Sequence, residues 1–300
     1  MTGALRKLLL GRYARRAAAP RIVPYPGWTT GSETEADSPE MERRRALWEK
    51  LGKSVTVSWL EGLRIRLFPG NETSHVLFLT GLYEPNEFLW LDRFLAPGMT
   101  VIDGGANMGL YALYCARRIA PGGLVLAVEP SARELARLEG HVALNRLDNV
   151  RVIRQGLAAT PGEGRLRIAA EWNAGHNTLG NFGYAETEQI GVEAVPLTTI
   201  DKLADKEGLT RVDVVKLDLE GSELAALKGA RQTLRRFRPA VLVEATDRTL
   251  RHQGASRAAL LRQLEDFGYD VCVCDGAGGL VAETEAGPEA PENVIALPSR

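Results

Sequence analysis

The fold of this chain is decided by the stretch Val101–Gly109, which reads Val-Ile-Asp-Gly-Gly-Ala-Asn-Met-Gly. An apolar run ends at Asp103, and two glycines follow it. The next residues, Leu110–Ile119, place apolar side chains at helical spacing. Glycines between two such runs are typical of a turn. The stretch therefore predicts a strand, a tight loop and a helix, in that order.

The composition of this loop indicates which ligand it would accept. Residues without a Cβ let the backbone approach a ligand closely, and a helix N-terminus offers unpaired N–H groups. A dinucleotide fingerprint requires Gly-x-Gly-x-x-Gly, whereas position 106 is Ala and the spacing from Asp103 is Asp-x-Gly-x-Asn-x-Gly. A carboxylate at the strand end repels a pyrophosphate but attracts an ammonium or sulfonium group. The loop therefore favours S-adenosylmethionine over NAD, and a purely structural turn is the alternative.

A second carboxylate follows the next apolar run. The run Gly123–Val128 is typical of a strand, and Glu129 and Pro130 come directly after it. In doubly wound sheets the acidic residue at the end of the second strand hydrogen-bonds ribose hydroxyls, and Glu129 lies at about the expected distance from the first glycine. Two carboxylate-ended strands separated by one helix therefore predict a nucleoside ligand.

Further apolar runs complete an α/β sheet. The third strand, Val150–Ile153, ends close to Gly156 and Leu157, and the fourth is followed by Asp218 and Glu220. Three more runs, Pro239–Glu244, Tyr269–Cys274 and Val294–Leu297, bring the number to seven. The sequence thus predicts a mostly parallel seven-stranded sheet with helices on both faces, and ligands of such sheets bind at the carboxyl edge.

Composition restricts the class of protein further. The chain has 300 residues, 45% of them hydrophobic, which is enough to bury a large core. A net charge of -1 disfavours a chain-wide nucleic-acid footprint, so no nucleic-acid partner is expected. Three cysteines without a Cys-x-x-Cys pair favour a reducing, cytoplasmic location. The early cluster Leu8–Leu10 is too short for a signal core or a transmembrane segment.

Several motifs together resemble the FkbM family of S-adenosylmethionine-dependent methyltransferases. From about Gly62 to the end of the chain, these are Tyr83-Glu84, Val101–Gly109, Glu129-Pro130, Asn145, Lys216–Glu223 and Arg238–Glu244. The resemblance implies a Rossmann-like methyltransferase fold whose last strand is antiparallel. It also implies that S-adenosyl-L-methionine is the cofactor and that a sugar or natural-product hydroxyl is the acceptor.

The resemblance assigns roles to individual residues. Asp103, Gly105 and Asn107 would surround the methionine end of the cofactor, and Glu129 would hold its ribose. Asp218 and Glu220 would border the transferred methyl group and the acceptor. The other expected cofactor contacts are Glu84, Gly104, Gly109, Pro130, Gly156, Leu157 and again Asp218. The family more often has Val at position 104, and the glycine here is expected to make the turn more flexible.

Three regions are expected along the chain. Residues 1–45 form a basic arm and linker, and this arm either frays or touches an anionic membrane surface. Residues 46–98 form a cap of helix, β-hairpin and helix, in which Asn86 caps the second helix. Residues 99–300 form the S-adenosylmethionine-binding methyltransferase domain.

A hydroxyl acceptor benefits from a base that takes its proton. The candidates are Asp218, Glu220 and His176, although His176 is equally an ordinary loop histidine. The two carboxylates have no clear third partner, so no metal is expected. The sequence therefore predicts an O-methyltransferase acting on a hydroxyl of a sugar, glycolipid or secondary metabolite. An NAD-dependent Rossmann oxidoreductase and a non-catalytic methyltransferase-like scaffold are the alternatives.

Overall fold

The computed structural model of this 300-residue chain describes residues 39–285 and 291–299. The basic arm and linker expected over residues 1–45 therefore fall almost entirely outside the described residues. Within the described part of the chain, no helix is long and apolar enough to cross a membrane.

Strands and helices alternate along most of the chain. The strands are β1 (Val55–Ser58), β2 (Arg64–Leu67), β3 (Thr100–Gly104), β4 (Leu124–Val128), β5 (Val150–Ile153), β6 (Gly156–Leu157), β7 (Gly162–Ala169), β8 (Gln189–Thr198), β9 (Val214–Leu217), β10 (Ala240–Glu244), β11 (Tyr269–Cys274), β12 (Leu280–Ala282) and β13 (Asn293–Pro298). The α-helices are α1 (Pro39–Glu49), α2 (Glu72–Thr80), α3 (Pro85–Phe94), α4 (Leu110–Ile119), α5 (Ala132–Asn145), α6 (Ile200–Lys206), α7 (Glu223–Lys228), α8 (Arg231–Phe237), α9 (Asp247–Leu250) and α10 (Arg257–Asp266). Helix α4 has the bounds that its apolar spacing predicts.

An eight-stranded sheet forms the centre of the molecule, in the order β12-β11-β13-β10-β9-β3-β4-β5. Strands β10, β9, β3, β4 and β5 pair in parallel. Strand β13 runs antiparallel to both of its neighbours. This arrangement confirms the Rossmann-like methyltransferase fold. It has one strand more than the predicted seven, because the short β12 pairs with the outer edge of β11.

Helices cover both faces of this sheet, as predicted. Val101 and Ile102 are consecutive in β3 but belong to opposite cores, since successive side chains of a strand point to opposite faces. Residues of α3, α4 and α5 pack on the Val101 face, and residues of α6, α7 and α10 pack on the Ile102 face. Burial on both faces explains why these strands appear in the sequence as continuous apolar runs.

The predicted N-terminal hairpin is present and is attached to α5. Strands β1 and β2 pair antiparallel, with Val55 opposite Leu67. The side chain of Asn145 accepts a hydrogen bond from the backbone N–H of Arg64 at 2.7 Å. The ring of His141 accepts another from the N–H of Arg66 at 2.9 Å. The hairpin is therefore held against the helix that follows β4.

One predicted cap is wrong. Helix α3 begins at Pro85, and its N-cap is Glu84 in a left-handed conformation with φ 41°, so Asn86 lies inside the first turn. Proline is well suited to the first turn of a helix because it has no N–H to leave unpaired there. The residue that precedes this proline is consequently fixed at the start of the helix, and Glu84 points away from solvent toward Tyr111 and Asn293.

A separate three-stranded sheet, β6-β8-β7, stands beside the carboxyl edge of the main sheet. Its longer strands contain the apolar runs Leu166–Ile168 in β7 and Ile190–Val195 in β8. Strands β7 and β8 pair antiparallel over most of their length, whereas β6 joins β8 in parallel. The sheet thereby places Gly156, Leu157 and Leu166 at the wall of a cavity.

Candidate active site

Two adjoining cavities open at the carboxyl edge of the main sheet, where ligands of open parallel sheets bind. The first, here called the glycine-loop cavity, has a volume of about 560 Å³ and is lined among others by Gly105, Asn107, Glu129, Pro130, Gly156 and Leu157. The second, here called the acidic cavity, has a volume of about 650 Å³ and contains the carboxylates of Glu72, Glu84, Asp218, Glu220, Glu244 and Glu292. Asp218 and Glu220 line both cavities, so the two spaces meet at the loop after β9.

Gly105 brings two loops into backbone contact. Its φ is +71°, and a Cβ at this position would overlap the carbonyl oxygen of Asp218. Its N–H and that of Ala106 both donate to the carbonyl oxygen of Val128, at 3.0 and 3.1 Å. Only glycine satisfies both the left-handed backbone and the missing space. The turn after β3 is therefore a rigid wall between the loops that follow β4 and β9.

Glu129 lies in the glycine-loop cavity, at the position expected for a ribose contact. One carboxylate oxygen accepts the N–H of Asn107 and the other accepts the N–H of Ser131, each at 2.8 Å. The residue is only 5% exposed, and burial raises the pKa of its carboxyl to about 7, against the opposing effect of these two hydrogen bonds. A carboxylate accepts up to about four hydrogen bonds. Glu129 therefore retains acceptor capacity toward the cavity.

Asp103 does not line the glycine-loop cavity, so its expected contact with the cofactor stays a prediction. The residue is fully buried and is absent from the cavity wall. It pairs in register with Lys216 of β9, whose Nζ lies 3.5 Å from its Oδ1. Side chains at paired positions of neighbouring strands share a face, so the lysine covers the aspartate. Burial raises the pKa of Asp103, and the charge of Lys216 opposes that rise.

Lys216 is a buried residue to which the sequence assigned no individual role. Its Nζ donates to the carbonyl oxygen of Gly105 at 3.0 Å and lies 3.4 Å from Oδ2 of Asp218. Burial disfavours the ammonium, but the carboxylates of Asp218 and Asp103 outweigh burial and raise the pKa of Lys216. A lysine inside an otherwise apolar strand was the available signal, because a buried ammonium requires a partner. This lysine joins the glycine turn to the loop after β9.

Two glycines expected to touch the cofactor serve packing instead. Gly104 has an ordinary strand backbone, and a Cβ there would come within 2.6 Å of Leu157 and 3.0 Å of Leu217. Its lack of a side chain therefore serves close packing, and the expected flexibility is corrected. Gly109 has φ +100° and would meet Leu138 of α5 at 2.6 Å. Neither glycine lines a cavity, because both are covered by leucine side chains.

The far end of the glycine-loop cavity contains polar groups that the sequence did not single out. Gln155 and Asn177 line this end beside the expected residues Gly156 and Leu157. The side-chain oxygen of Asn177 accepts the N–H of Ala169 at 2.9 Å. Its amide nitrogen is buried and has no hydrogen-bond partner in the structure. A buried donor without an acceptor is costly, so this nitrogen is suited to an acceptor atom of a bound ligand.

The loop after β9 holds Asp218 and Glu220 where the two cavities meet. Glu220 has φ +51°, and its carbonyl oxygen accepts hydrogen bonds from Thr178 and Gln253, each at 2.9 Å. The carboxylate of Glu223 accepts the N–H groups of Leu219 and Gly221 at 2.6 and 3.2 Å. Burial, followed by the neighbouring charge of Asp218, raises the pKa of Glu220 well above its ordinary value. The loop is thus fixed from both sides and presents its carboxylates to the cavities.

His176 and Glu84 both line the acidic cavity. The ring of His176 stacks on Tyr184, with 4.3 Å between ring centroids, and its Nδ1 lies 2.9 Å from the hydroxyl of Thr187. Burial lowers the pKa of His176, which favours a neutral imidazole. Glu84 accepts a hydrogen bond from the hydroxyl of Tyr111 at 2.5 Å. The sequence placed Glu84 among the cofactor contacts, whereas the structure places it in the second cavity.

The described residues contain no group of three or more His, Cys, Asp or Glu side chains arranged to hold a metal ion. The acidic cavity is nevertheless rich in carboxylates, and none of the described residues in its wall is a lysine or an arginine. Carboxylates such as Glu129 also line the glycine-loop cavity, but there the wall additionally contains apolar side chains such as Leu157 and Leu166.

Known methyltransferases share sequence similarity with much of this chain. The sequence profile described as the methyltransferase FkbM domain matches residues 103–271, which is more than half of the chain. Methyltransferase sdnD of Sordaria araneosa is 28% identical over 197 residues, covering 57% of this chain and 73% of that protein. The AMB antimetabolite synthetase AmbE of Pseudomonas aeruginosa is 27% identical over 237 residues, covering 66% of this chain but only 11% of that protein.

Among solved structures, the methyltransferase FkbM of Methylobacillus flagellatus superposes with a TM-score of 0.43 at 15% identity, covering 86% of this chain and 58% of that one. Members of the matched family use S-adenosyl-L-methionine as their cofactor. The chain belongs to the FkbM family of methyltransferases.

Proposed function

We propose that this methyltransferase transfers its methyl group to an oxygen atom, on a hydroxyl of a sugar, a glycolipid or a secondary metabolite. The observation that carries the proposal is the position of Asp218 and Glu220 between the glycine-loop cavity and the acidic cavity. A hydroxyl has a high pKa and benefits from a carboxylate that accepts its proton. Both carboxylates border the space where donor and acceptor would meet.

The residues of the glycine-loop cavity fit S-adenosyl-L-methionine. Glu129 would accept hydrogen bonds from the ribose hydroxyls, and the orphaned amide nitrogen of Asn177 would donate to the adenine ring. The carboxylate of Asp218 would face positive charge, which S-adenosylmethionine carries at both its sulfonium and its ammonium group. When bound, the cofactor supplies an electrophilic methyl carbon, so that the acceptor oxygen forms a new O–C bond while the C–S bond breaks and leaves its electron pair on sulfur.

The chain itself contributes alignment and a proton acceptor. The loop after β9 is held by Glu223 and Gln253, so Asp218 and Glu220 keep their positions without rearrangement. Alignment of the reacting groups is the main requirement of such a displacement. Because burial raises the pKa of Glu220, its carboxylate is a stronger base than an exposed one. His176 is the third candidate, since its neutral imidazole also borders the acidic cavity.

Family membership leaves the NAD-dependent alternative without support. The cavity walls contain no lysine or arginine that would meet a pyrophosphate, while Glu129, Glu134, Asp218 and Glu220 line the glycine-loop cavity. The scaffold alternative predicts a pocket filled by side chains. The presence of a cavity beside Glu129 counts against it.

Two measurements test the proposal. Calorimetric titration of the purified chain should show one saturable site for S-adenosylhomocysteine and none for NADH. Incubation with trideuteromethyl S-adenosylmethionine and a panel of hydroxylated metabolites should then yield a product whose label is on oxygen, as determined by NMR and mass spectrometry. Label found only on nitrogen or carbon would contradict oxygen transfer. Absence of binding to S-adenosylhomocysteine would contradict the cofactor site.

A further inference from the structure

The wall of the acidic cavity is rich in carboxyl groups. Its six carboxylates come from segments far apart in the chain, namely Glu72, Glu84, Asp218, Glu220, Glu244 and Glu292. Among the described residues, no lysine or arginine lines it, and burial lowers the pKa of the histidine in its wall, His176. Like charges that share a site disfavour one another. A cation bound among them would remove that repulsion.

Glu244 shows that a donor is missing from this cavity. It is the last residue of β10 and only 8% exposed, yet it lines the cavity. Its Oε2 is buried and has no hydrogen-bond partner in the structure. A buried carboxylate oxygen without a donor is among the most costly polar groups in a protein. Burial, followed by the charges of Asp218 and Glu220, raises its pKa well above the ordinary value.

Three donors close to the acidic cavity are already used. The amide of Asn293 donates to Glu84 and Glu87, and the hydroxyl of Tyr111 donates to Glu84. The ammonium of Lys216 lies within 3.5 Å of the carboxylates of Asp103 and Asp218. Oε2 of Glu244 has no partner among the described residues, so a ligand that carries a hydrogen-bond donor would satisfy it.

The shape of the wall distinguishes a protonated amine from a metal ion. No set of three ligating side chains in the described part of the chain has the arrangement of a metal site. The carboxylates instead surround a space of about 650 Å³ flanked by the aromatic side chains of Tyr83, Trp172 and Tyr184. An ammonium group carries three N–H donors and is attracted to carboxylates and to aromatic faces alike.

We propose that the acidic cavity binds a methyl acceptor that carries a protonated primary amine in addition to the hydroxyl. Amino sugars, amino alcohols and amino acids with a hydroxyl side chain belong to this class. Glu244 and Glu292 hold the ammonium at the far side of the cavity, and Asp218 and Glu220 face the hydroxyl. The inference rests on the proposed function, since it names the acceptor of the same site. An amine held in its protonated form has no free lone pair, so the hydroxyl is the group that reacts.

The test uses matched pairs of small probes in which one member carries an amine where the other carries a hydroxyl. The pairs are ethanolamine and ethylene glycol, serinol and glycerol, and glucosamine and glucose. Their affinity for the chain saturated with S-adenosylhomocysteine is measured by ligand-observed NMR. The amine member of at least one pair should bind about tenfold or more tightly than its partner, as expected for a charge-assisted contact. Equal affinity within every pair, including no detectable binding of either member, would overturn the proposal.

Substitutions in the wall test whether the preference for the amine probes arises in the acidic cavity. In Glu244→Gln the preference for the amine should fall about tenfold, while the affinity for S-adenosylhomocysteine stays that of the wild type. Glu292 is exposed, so Glu292→Gln gives a second variant in which folding is preserved. Glu163→Gln removes the same charge from an exposed position of β7 and should leave the preference unchanged. Thermal unfolding of each variant verifies the fold.

Two results separate the inference from the proposed function. Binding of S-adenosylhomocysteine without any amine preference would overturn the inference and leave the methyltransferase proposal standing. Failure to bind S-adenosylhomocysteine would overturn the proposed cofactor site. Saturable binding of Mg²⁺ that is lost in Glu244→Gln would also overturn the inference, because it would assign these carboxylates to a metal ion.

Discussion

The two cavities that meet at the loop after β9 are built in opposite ways. The glycine-loop cavity lies beside the backbone turn at Gly105, and its carboxylate Glu129 accepts hydrogen bonds from two backbone N–H groups. The acidic cavity is formed by side chains, and its innermost carboxylate, Glu244, has one oxygen without a donor. A site for a constant cofactor can be preorganised by the main chain. A site for an acceptor leaves part of its hydrogen bonding to the ligand.

The largest effect that we expect is a loss of stability when Lys216 is replaced. Its ammonium contacts the carbonyl oxygen of Gly105 and the carboxylate of Asp218. Lys216→Met leaves Asp103 fully buried without its cation, and breaking a buried pair in this way costs about 3–5 kcal/mol. Urea denaturation followed by circular dichroism measures the change. The double variant Asp103→Asn, Lys216→Met should recover much of the loss, because no buried charge then remains unpaired. A single variant as stable as the wild type would contradict this role.

A second prediction tests whether the backbone really forms the wall of the glycine-loop cavity. Gly105→Ala places a methyl group onto the carbonyl oxygen of Asp218 at a left-handed position, so we expect a loss of about 3 kcal/mol in stability and no binding of S-adenosylhomocysteine. The matched control is Gly140→Ala in α5, where a Cβ meets no atom within 4 Å. This control should gain about 0.5–1 kcal/mol from helix propensity. Equal behaviour of the two variants would show that the turn is not constrained.

A third prediction separates the cavities by their ligands. Glu129→Gln keeps the size of the side chain but removes the charge that would accept hydrogen bonds from the ribose hydroxyls. This change should weaken the binding of S-adenosylhomocysteine by about 1.5–3 kcal/mol. Calorimetry measures this change. The amine preference of the probe pairs should persist at saturating cofactor, since Glu129 does not line the acidic cavity. Loss of the amine preference in this variant would mean that the two cavities are not independent.

The smallest expected effect is a dependence of cofactor affinity on pH. The pKa of Glu129 is raised to about 7, so the free protein carries a mixture of acid and carboxylate near neutrality. The ribose hydroxyls would donate hydrogen bonds to the ionised form of Glu129. Binding below pH 7 therefore requires Glu129 to lose a proton. Affinity for S-adenosylhomocysteine should fall by up to about tenfold for each pH unit below 7. It should level off above pH 8, and Glu129→Gln should show none of this dependence.

The glycine-loop cavity could largely be predicted from the sequence. Its strand, turn and helix lie within one segment, Val101–Ile119, and Glu129 comes one helix later, so local patterns contain most of the information. The direction of Asp103 could not be predicted in this way. It depends on the pairing of β3 with β9, which places Lys216 beside it. Strand pairing brings together residues that are more than a hundred positions apart, and no local sequence pattern reveals which residues are paired.

The acidic cavity was beyond prediction for the same physical reason. Glu72 and Glu292 lie at nearly opposite ends of the described chain, and only the folded sheet brings them together. The sequence assigned Glu84 to the cofactor because it follows a tyrosine in a family motif. Its actual place follows from the left-handed turn ahead of Pro85. Capping was predicted from Asn86 alone, and this failed because the proline already fixes where the helix begins.

The loop after β9 carries both Asp218 and Glu220, and its backbone is anchored by Thr178, Gln253 and Glu223. In the proposed mechanism the proton acceptors are confined to Asp218 and Glu220, while the proposed acceptor recognition is spread over positions such as 72, 244 and 292. Redesign of this enzyme toward new acceptors can therefore treat these two sets of residues separately. Distant wall positions can be exchanged to change the choice of molecule, and the short anchored segment can be left intact to preserve turnover.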